Sequence, residues 1–150
     1  MAAEIDLGRL LLQAHRALTS ELREGMTERG YPDVRPGHAA VFMHIDRRSG
    51  TRLTDLARRA RMTKQGMMLI VDDLESRGYV RRVPDEEDGR AKVVRLTARG
   101  RRSVAEARRA IAAVEGRARR ELGDRRYEAL RSALNSLVGD EELEDEEITG

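Results

Sequence analysis

Residues 63–82 read TKQGMMLIVDDLESRGYVRR, and this stretch decides the fold of the chain. Within it, apolar residues recur at the i, i+3, i+4 and i+7 spacing of a helix that buries one face. They are Met67, Ile70, Val71 and Leu74. Thr63 is suited to cap the start of this helix, and Gly78 follows its last apolar turn, where glycine commonly ends a helix. The stretch therefore predicts an amphipathic helix between Thr63 and Gly78.

The outward face of this helix is not built purely for contact with water. At about 100° per residue, the arc opposite the buried stripe combines apolar with polar side chains. Its members are Gln65, Met68, Leu69, Asp72 and Ser76. A shorter helix, LTDLARRA at residues 53–60, precedes it through a tight connection at Arg61 and Met62. Two short helices in this order predict a helix-turn-helix.

Composition narrows the class of protein. The chain has 150 residues, of which 37% are charged, and it contains no cysteine. Without cysteine there can be no disulfides, no thiolate metal sites and no cysteine nucleophile. The first residues are acidic and amphipathic, unlike a signal peptide, and no apolar run approaches the length of a membrane span. We therefore expect one domain that works in the cytoplasm and makes no contact with a membrane.

The charges are unevenly distributed along the chain. Residues 47–109 contain 18 basic and nine acidic side chains, a net charge of +9. The segments before and after them have net charges of −2 and −5. Arginine-rich segments are often solvated surface. Here the excess coincides with the helix-turn-helix, which favours a nucleic-acid partner.

The rest of the chain predicts long helices on both sides of a β-hairpin. Apolar repeats indicate helices at residues 4–29, 97–122 and 124–138. A shorter segment, about residues 36–46, is apolar nearly all round and is expected to be a buried helix. Two valine-rich runs flank the polar loop at residues 84–92 and predict a hairpin, the wing, with a turn at Asp88-Gly89.

The predicted fold is mainly α with a small β-hairpin wing, a winged helix-turn-helix flanked by N- and C-terminal dimerisation helices. The long helices have apolar stripes that no other predicted layer covers, so we expect a second copy to cover them as a homodimer. The expected parts are N-terminal helices at 4–46 (dimerisation and pocket wall), the winged module at 47–100, C-terminal dimerisation helices at 101–138 and a disordered acidic tail at 139–150.

Two stretches resemble the MarR (multiple antibiotic resistance regulator) family of winged helix-turn-helix repressors. They are LTDLARRARMTKQGMMLIVDDLESRGYVRR and the wing DEEDGRAKVVRLTARG, with its Asp88-x-Arg90 and Leu96-Thr97-x-x-Gly100 patterns. The order of elements from about residue 5 to 138 also agrees. The resemblance implies an obligate homodimer on a pseudopalindromic operator, often released by a small molecule held between the dimerisation and DNA-binding parts. The wing is more acidic here than in many members of the family.

Candidate DNA contacts follow from side-chain chemistry. Gln65 can pair with an adenine edge, and Met68 or Leu69 can touch a thymine methyl group. Arg61 and Lys64 suit phosphates near the helix N-terminus, with Arg52 and Thr54 as weaker candidates. In the wing, Arg90 is expected to enter the minor groove, oriented by a side-chain bond from Asp88, although both could be solvated turn residues. The expected DNA-binding set is Arg52, Thr54, Arg61, Thr63, Lys64, Gln65, Met68, Leu69, Asp88, Arg90 and Lys92.

The three histidines do not have the spacing of a metal site. His38 and His44 are six residues apart, and an i, i+4 pair is missing. We instead expect His15, Arg16, His38 and His44 to form polar walls of an effector pocket. We also find no nucleophile with a base and no glycine-rich phosphate loop, so neither an enzyme, a metal nor a cofactor is expected.

The sequence thus favours a ligand-responsive transcriptional regulator, a repressor that binds double-stranded DNA as a homodimer. One alternative is a DNA-architecture protein without sequence preference, which would show salt-sensitive binding and little discrimination between sites. Another is a small-molecule binding module that has no operator.

Overall fold

The computed structural model describes residues 5–139, in which helices surround a small sheet. The elements in chain order are α1 (Leu7–Glu28), a 3-10 helix (Pro36–His38), α2 (Ala39–Phe42), β1 (Thr51–Arg52), α3 (Leu53–Arg59), α4 (Lys64–Ser76), β2 (Val80–Pro84), β3 (Lys92–Leu96), α5 (Ala98–Leu122) and α6 (Asp124–Val138). This order confirms the predicted fold class, a mainly helical winged helix-turn-helix. The predicted acidic tail lies outside the described residues, apart from Gly139.

The long helices begin and end at residues whose chemistry fits those positions. Asp6 caps α1 by accepting a hydrogen bond from the Arg9 N–H at 2.9 Å, and the helix stops before Gly30, which has a φ of 90°. Thr97 caps α5 in the same way through the Gly100 N–H at 3.0 Å. Gly123, with a φ of 79°, separates α5 from α6. Glycine suits such left-handed positions because it has no Cβ.

The prediction of one helix over residues 36–46 is wrong in its extent. The segment forms a 3-10 turn followed by only four α-helical residues, Ala39–Phe42. Asp46 favours a turn instead, because its Oδ1 accepts the backbone N–H groups of both Arg48 and Ser49 at 2.8 Å. Such local side-chain bonds offer the backbone an alternative to the helix.

Burial along this segment is also less complete than predicted. Val41 and Ile45 are fully buried, but Met43 is 60% exposed. Met43 follows the last helical residue and is exposed, whereas Ile45, two residues later, still packs in the core.

The sheet contains one strand more than the predicted hairpin. Its order is β1-β3-β2, with both pairings antiparallel. Thr51 is opposite Val94, and Val80 is opposite Leu96. Strand β1 has only two residues, too few to show the alternation by which strands are found in a sequence. The wing therefore rests on the chain that leads into α3.

The core lies between α2, α3, α4, the sheet and the start of α5. Its buried members are Val41, Ile45, Leu56, Ala57, Met67, Val71, Leu74, Tyr79, Val80, Val94, Leu96 and Val104. Three of the four residues predicted for the buried stripe of α4 belong to it, and Ile70 packs against it partly buried. The predicted facing of α4 is thus correct.

Gly100 allows α5 to approach this core closely. A Cβ at this position would lie 2.0 Å from the Tyr79 carbonyl oxygen and 3.1 Å from Leu96 Cδ2. That same carbonyl accepts the Thr97 N–H at 3.0 Å. The start of α5 is therefore fixed against the beginning of β2.

Outside the core, α1 packs against α5 with few buried side chains. Met26 and Ala110 are buried between them, and Arg117 of α5 pairs with Glu21 of α1. Many large apolar side chains remain exposed on the long helices: Leu7, Leu10, Leu11, Leu12, Leu18, Ile111, Leu130, Leu137 and Val138. Among the helices at residues 5–139, none is long and apolar enough to cross a membrane.

Candidate nucleic-acid interface

The link between α3 and α4 is short and tightly bonded. Arg61 has a φ of 51°, a left-handed conformation that few residues other than glycine adopt. The turn is closed by backbone bonds from the Arg61 N–H to the Arg58 carbonyl at 3.1 Å and from the Met62 N–H to the Ala57 carbonyl at 2.8 Å. These bonds fix the angle between the two helices.

The first turns of α4 present the predicted contact side chains to solvent. Thr63 caps the helix, accepting the Gly66 N–H at 3.0 Å. Lys64 and Gln65 follow on the exposed side, and Met68 and Leu69 are 40% and 71% exposed. An exposed amide beside two exposed apolar side chains suits hydrogen bonds to base edges and contact with thymine methyl groups.

Farther along α4, Arg82 neutralises the acids that follow this face. Its Nη2 donates to Asp72 Oδ1 at 2.5 Å, and its Nη1 donates to Glu75 Oε1 at 2.7 Å. The Arg82 backbone N–H also donates to Glu75 Oε2 at 2.8 Å. This clamp ties β2 to α4 and offsets negative charge that would repel phosphates. Sequence reasoning missed it because the partners are separated by the turn at Gly78.

Arg52, a predicted phosphate contact, is held by an ion pair with Asp85 of the wing. Its Nε lies 2.6 Å and its Nη2 2.5 Å from Asp85 Oδ2. The bond from Asp85 raises the pKa of Arg52. The pKa of Asp85 is lowered, first by the hydrogen bond from the Glu87 N–H and then by Arg52. The pair joins the base of the wing to the start of α3.

At the wing tip, the predicted side-chain bond between Asp88 and Arg90 is wrong. Asp88 Oδ1 accepts the backbone N–H of Arg90 at 3.1 Å, and the Asp88 carbonyl accepts the Ala91 N–H at 2.9 Å. In the part of the chain that the structure describes, Asp88 forms no ion pair with the Arg90 guanidinium. Asp88 shapes the turn, because an aspartate oxygen two residues earlier is well placed to accept a backbone N–H.

The expected DNA-binding residues lie in two groups. The first is exposed at the start of α3 and around the start of α4: Thr54, Arg61, Thr63, Lys64, Gln65, Met68 and Leu69. The second belongs to the wing and its base. Asp88, Arg90 and Lys92 are exposed there, and Arg52 is partly buried. Arg81, an exposed arginine of β2, is a further cation on the wing that the sequence did not single out.

The residues predicted for an effector pocket do not form one group. His15 and Arg16 line an open hollow of about 290 Å³ between α1 and the 3-10 helix. The rest of its lining is Thr19, Ser20, Arg23 and Pro36. His38 and His44 are not part of this lining. His44 is half-buried, and its carbonyl accepts a bond from Arg59 at 2.9 Å.

His38 instead belongs to a polar cluster behind α4. Its side chain is only 4% exposed, and its Nε2 lies 2.7 Å from Asp73 Oδ2. Asp73 Oδ1 also accepts from Arg77 Nε at 2.9 Å. The bond from His38, followed by that from Arg77, lowers the pKa of Asp73. Within residues 5–139, no three His, Asp or Glu side chains come together as a metal site.

The cluster continues from α4 to the start of α5. The Tyr79 hydroxyl donates to Asp33 Oδ1 at 2.5 Å, and Arg99 lies with its guanidinium carbon 4.6 Å from the Tyr79 ring centre. Burial, followed by the bond to Asp33, raises the pKa of Tyr79 to about 12. Arg77 Nη1 lies 3.9 Å from Asp33 Oδ2, so the two aspartates share this arginine. Sequence reasoning did not find the cluster, because its members are far apart along the chain.

The helix-turn-helix, the exposed turns of α4 and the antiparallel wing define a winged helix-turn-helix protein, a class whose second helix lies in the DNA major groove. Residues 33–91 match the family model of the MarR family. The matched segment runs from the connector before the 3-10 helix to the wing tip, so this part of the chain is similar to the winged helix-turn-helix of the MarR family. No curated protein sequence matches the chain.

Several solved structures share the fold over nearly the whole chain. The transcriptional repressor CouR, bound to a 23-mer DNA duplex, is 23% identical with a TM-score of 0.73, covering 91% of this chain and 100% of its own. CouR from Rhodococcus jostii RHA1 is also known bound to p-coumaroyl-CoA, at 24% identity and a TM-score of 0.68 over 90% of this chain and 93% of its own.

Two further structures come from other bacteria. A Mycobacterium tuberculosis MarR family protein in complex with salicylic acid is 26% identical, with a TM-score of 0.65 over 91% of this chain and 99% of its own. Wild-type MarR from E. coli in its apo form is 19% identical, with a TM-score of 0.69 over 91% of this chain and 99% of its own.

Proposed function

We propose that this chain is a ligand-responsive transcriptional regulator, a repressor that binds a pseudopalindromic operator as a homodimer in the cytoplasm. The observation that carries the proposal is the exposed start of α4. There Gln65 and Leu69 project from a helix whose opposite side packs into the core, so these side chains face away from the protein. This arrangement suits insertion into a major groove.

The distribution of charge around α4 supports contact with DNA phosphates. Lys64 and Arg61 are exposed beside the helix N-terminus, where backbone N–H groups also favour anions. The clamp from Arg82 neutralises Asp72 farther along the same face. The base-reading turns are thus flanked by positive charge, and the nearest carboxylate on the face is already paired.

The proposed homodimer rests on the apolar side chains of the long helices. Leu7, Leu10, Leu12, Leu130 and Leu137 are between 47% and 65% exposed. An apolar surface of this extent is unusual on a protein that acts alone, and twofold pairing is the commonest way to cover it. Twofold symmetry would also place two copies of α4 on one side of a duplex, which is the reason to expect a pseudopalindrome.

The proposed effector site is the hollow lined by His15, Arg16 and Arg23. Two guanidinium groups and the hydroxyls of Thr19 and Ser20 favour a small organic anion, since arginine pairs well with carboxylates. Salicylic acid in the M. tuberculosis protein and p-coumaroyl-CoA in CouR are both anionic, which supports this class of effector.

A selection from random duplex DNA tests the proposal. The full chain should enrich a pseudopalindromic site, and the selected duplex should be bound at least 10³-fold more tightly than a scrambled one, as specific regulators typically do. Salicylate is the probe for release, and Arg16→Gln with Arg23→Gln is the matched variant that should no longer respond to it.

The result also separates the alternatives. Enrichment of no sequence, together with strong salt dependence, would indicate a DNA-architecture protein. Binding of salicylate without any binding of DNA would indicate a small-molecule module, and either result would overturn the proposal.

A further inference from the structure

The two ring nitrogens of His38 have different partners on different parts of the chain. Nδ1 accepts the backbone N–H of Arg35 at 3.0 Å. Nε2 lies 2.7 Å from Asp73 Oδ2. Since a neutral imidazole has one donor and one acceptor nitrogen, these partners require the tautomer whose proton is on Nε2. His38 then satisfies both bonds at once, within a site where its side chain is 4% exposed.

These bonds join the segment that precedes α2 to α4, the helix that carries the candidate base contacts. Arg35 precedes the 3-10 helix Pro36–His38, whereas Asp73 lies in the second half of α4. The ring itself is fixed by Phe42, which packs edge-on at 6.5 Å between ring centres. The His38 ring is therefore held in place by packing, and each of its two nitrogens forms a hydrogen bond.

Asp73 is well placed to control the direction of α4. It is eight residues from Gln65, about 12 Å along the helix at 1.5 Å per residue. Over that distance, a tilt of α4 by about 10° at Asp73 would displace Gln65 by roughly 2 Å. A displacement of this size exceeds the tolerance of a bidentate bond to a base.

We infer that His38 is a positioning residue for DNA recognition, because its bond to Asp73 fixes the tilt of α4 and thereby places Gln65 against the base edge. The inference rests on the proposed function and adds a residue that does not itself face the DNA. It assigns to His38 a role distinct from the effector wall expected from the sequence.

Two substitutions separate the two bonds of the ring. In His38→Gln, the amide nitrogen reaches the place of Nε2 and still donates to Asp73, while the acceptor for the Arg35 N–H is lost. In His38→Asn, the amide oxygen stays near the place of Nδ1 and accepts the Arg35 N–H, but the side chain is too short for Asp73. Both variants remove the ring from Phe42, so the loss of packing is shared.

The ratio of affinities for the selected operator and a scrambled duplex is the first measurement. Loss of a hydrogen bond to a carboxylate should lower this ratio by roughly tenfold or more in His38→Asn. His38→Gln should stay within about threefold of the unchanged protein. Affinity for the scrambled duplex and its salt dependence should not change in either variant, since the phosphate contacts remain.

Equal loss in both variants, or equal retention, would overturn the inference. The first result would mean that only the ring packing matters, and the second that the Asp73 bond has no effect on recognition. The melting temperatures of both variants should also be measured. They report the general loss of stability that the two variants share, and the remaining difference in affinity ratio is due to the Asp73 bond.

Nuclear magnetic resonance of the DNA-free protein gives an independent test, should the selection recover no operator. The ¹⁵N shifts of His38 should show a protonated Nε2 and an acceptor Nδ1, with exposed His15 as the reference. The amide signals of residues 64–69 should move in His38→Asn and remain in place in His38→Gln. A protonated Nδ1, or unmoved amides in both variants, would reject the positioning role whether or not the protein binds an operator.

Discussion

At the scale of single residues, Gly100 is the glycine of residues 5–139 where an added Cβ would make the shortest contact. A Cβ would lie 2.0 Å from the Tyr79 carbonyl oxygen, which belongs to the backbone and cannot rotate away. Gly100→Ala should therefore lower the free energy of unfolding by about 2 kcal/mol or more, measured by urea denaturation.

Gly116 of the same helix is the matched control. Its Cβ would meet only the end of the flexible Arg120 side chain, at 3.4 Å. Gly116→Ala should leave the unfolding free energy unchanged or raise it by up to about 1 kcal/mol, because alanine favours the helix. Equal destabilisation by both substitutions would show that α5 does not press against β2 as closely as the structure indicates.

Also at this scale, Gln65 and Lys64 should differ in what they contribute to binding. Gln65→Ala should cost roughly 1–3 kcal/mol at one base pair of each half-site and relax the preference there. Lys64→Ala should weaken all sequences alike and reduce the salt slope by about one per subunit. Binding profiles over single-base operator variants, at two salt concentrations, distinguish these effects. Identical profiles for the two variants would mean that Gln65 does not face the bases.

At the scale of elements, repeating patterns in the sequence were sufficient to predict some parts of the fold. The period of α4 located its buried face, and capping residues located the starts of α4 and α5 at Thr63 and Thr97. These features depend on neighbours within a few residues. They are therefore visible in the sequence before any tertiary contact is known.

Other parts could not be predicted because they depend on long-range contacts. Strand β1 exists only by pairing with β3, and its two residues have no pattern of their own. The bonds of Arg52 to Asp85 and of His38 to Asp73 join residues 33 and 35 positions apart. The exposed side chains at the start of α4 could thus be singled out from the sequence, whereas the long-range bonds around them could not.

For the wing, the structure reverses one expectation about charge. If Asp88 oriented the Arg90 side chain, Asp88→Asn would weaken DNA binding. Asp88 instead accepts a backbone N–H, which an asparagine oxygen can also accept. Asp88→Asn should therefore bind DNA as tightly as the unchanged protein or more tightly, because one repulsive charge is removed.

The other charged residues of the wing tip provide the comparison. Glu86→Gln with Glu87→Gln should strengthen binding, most at low salt where screening is weakest. Arg90→Ala should weaken it by removing a cation from the exposed tip. Titrations of one operator at two salt concentrations measure all three variants. Weaker binding by Asp88→Asn would indicate that Asp88 does not accept the Arg90 N–H in solution.

At the scale of the whole molecule, pairing and folding should be separable. Leu130 is 47% exposed in the single chain, so a carboxylate there would not disturb the core of the winged module. Leu130→Asp should yield a monomer with an intact winged module, because burying an unpaired carboxylate in the proposed dimer costs several kcal/mol. The sequence alone had allowed an unfolded product as well.

Light scattering measures the mass, and far-ultraviolet circular dichroism measures the remaining helix. Ser132→Asp is the control, since Ser132 is exposed on the opposite side of α6 from Leu130. It should remain dimeric. A dimer with Leu130→Asp would show that α6 is not part of the pairing surface.

If the exposed leucines of α1 and α6 pair two copies as proposed, DNA binding also depends on the abundance of the chain. If two copies must meet before an operator is held, operator occupancy at low abundance rises with the square of the chain concentration. Doubling the number of gene copies would then increase repression more than twofold, and unequal division of the protein between daughter cells would change it disproportionately. In the proposed homodimer, the threshold for switching a gene would then depend on how much regulator a cell inherits as well as on any effector.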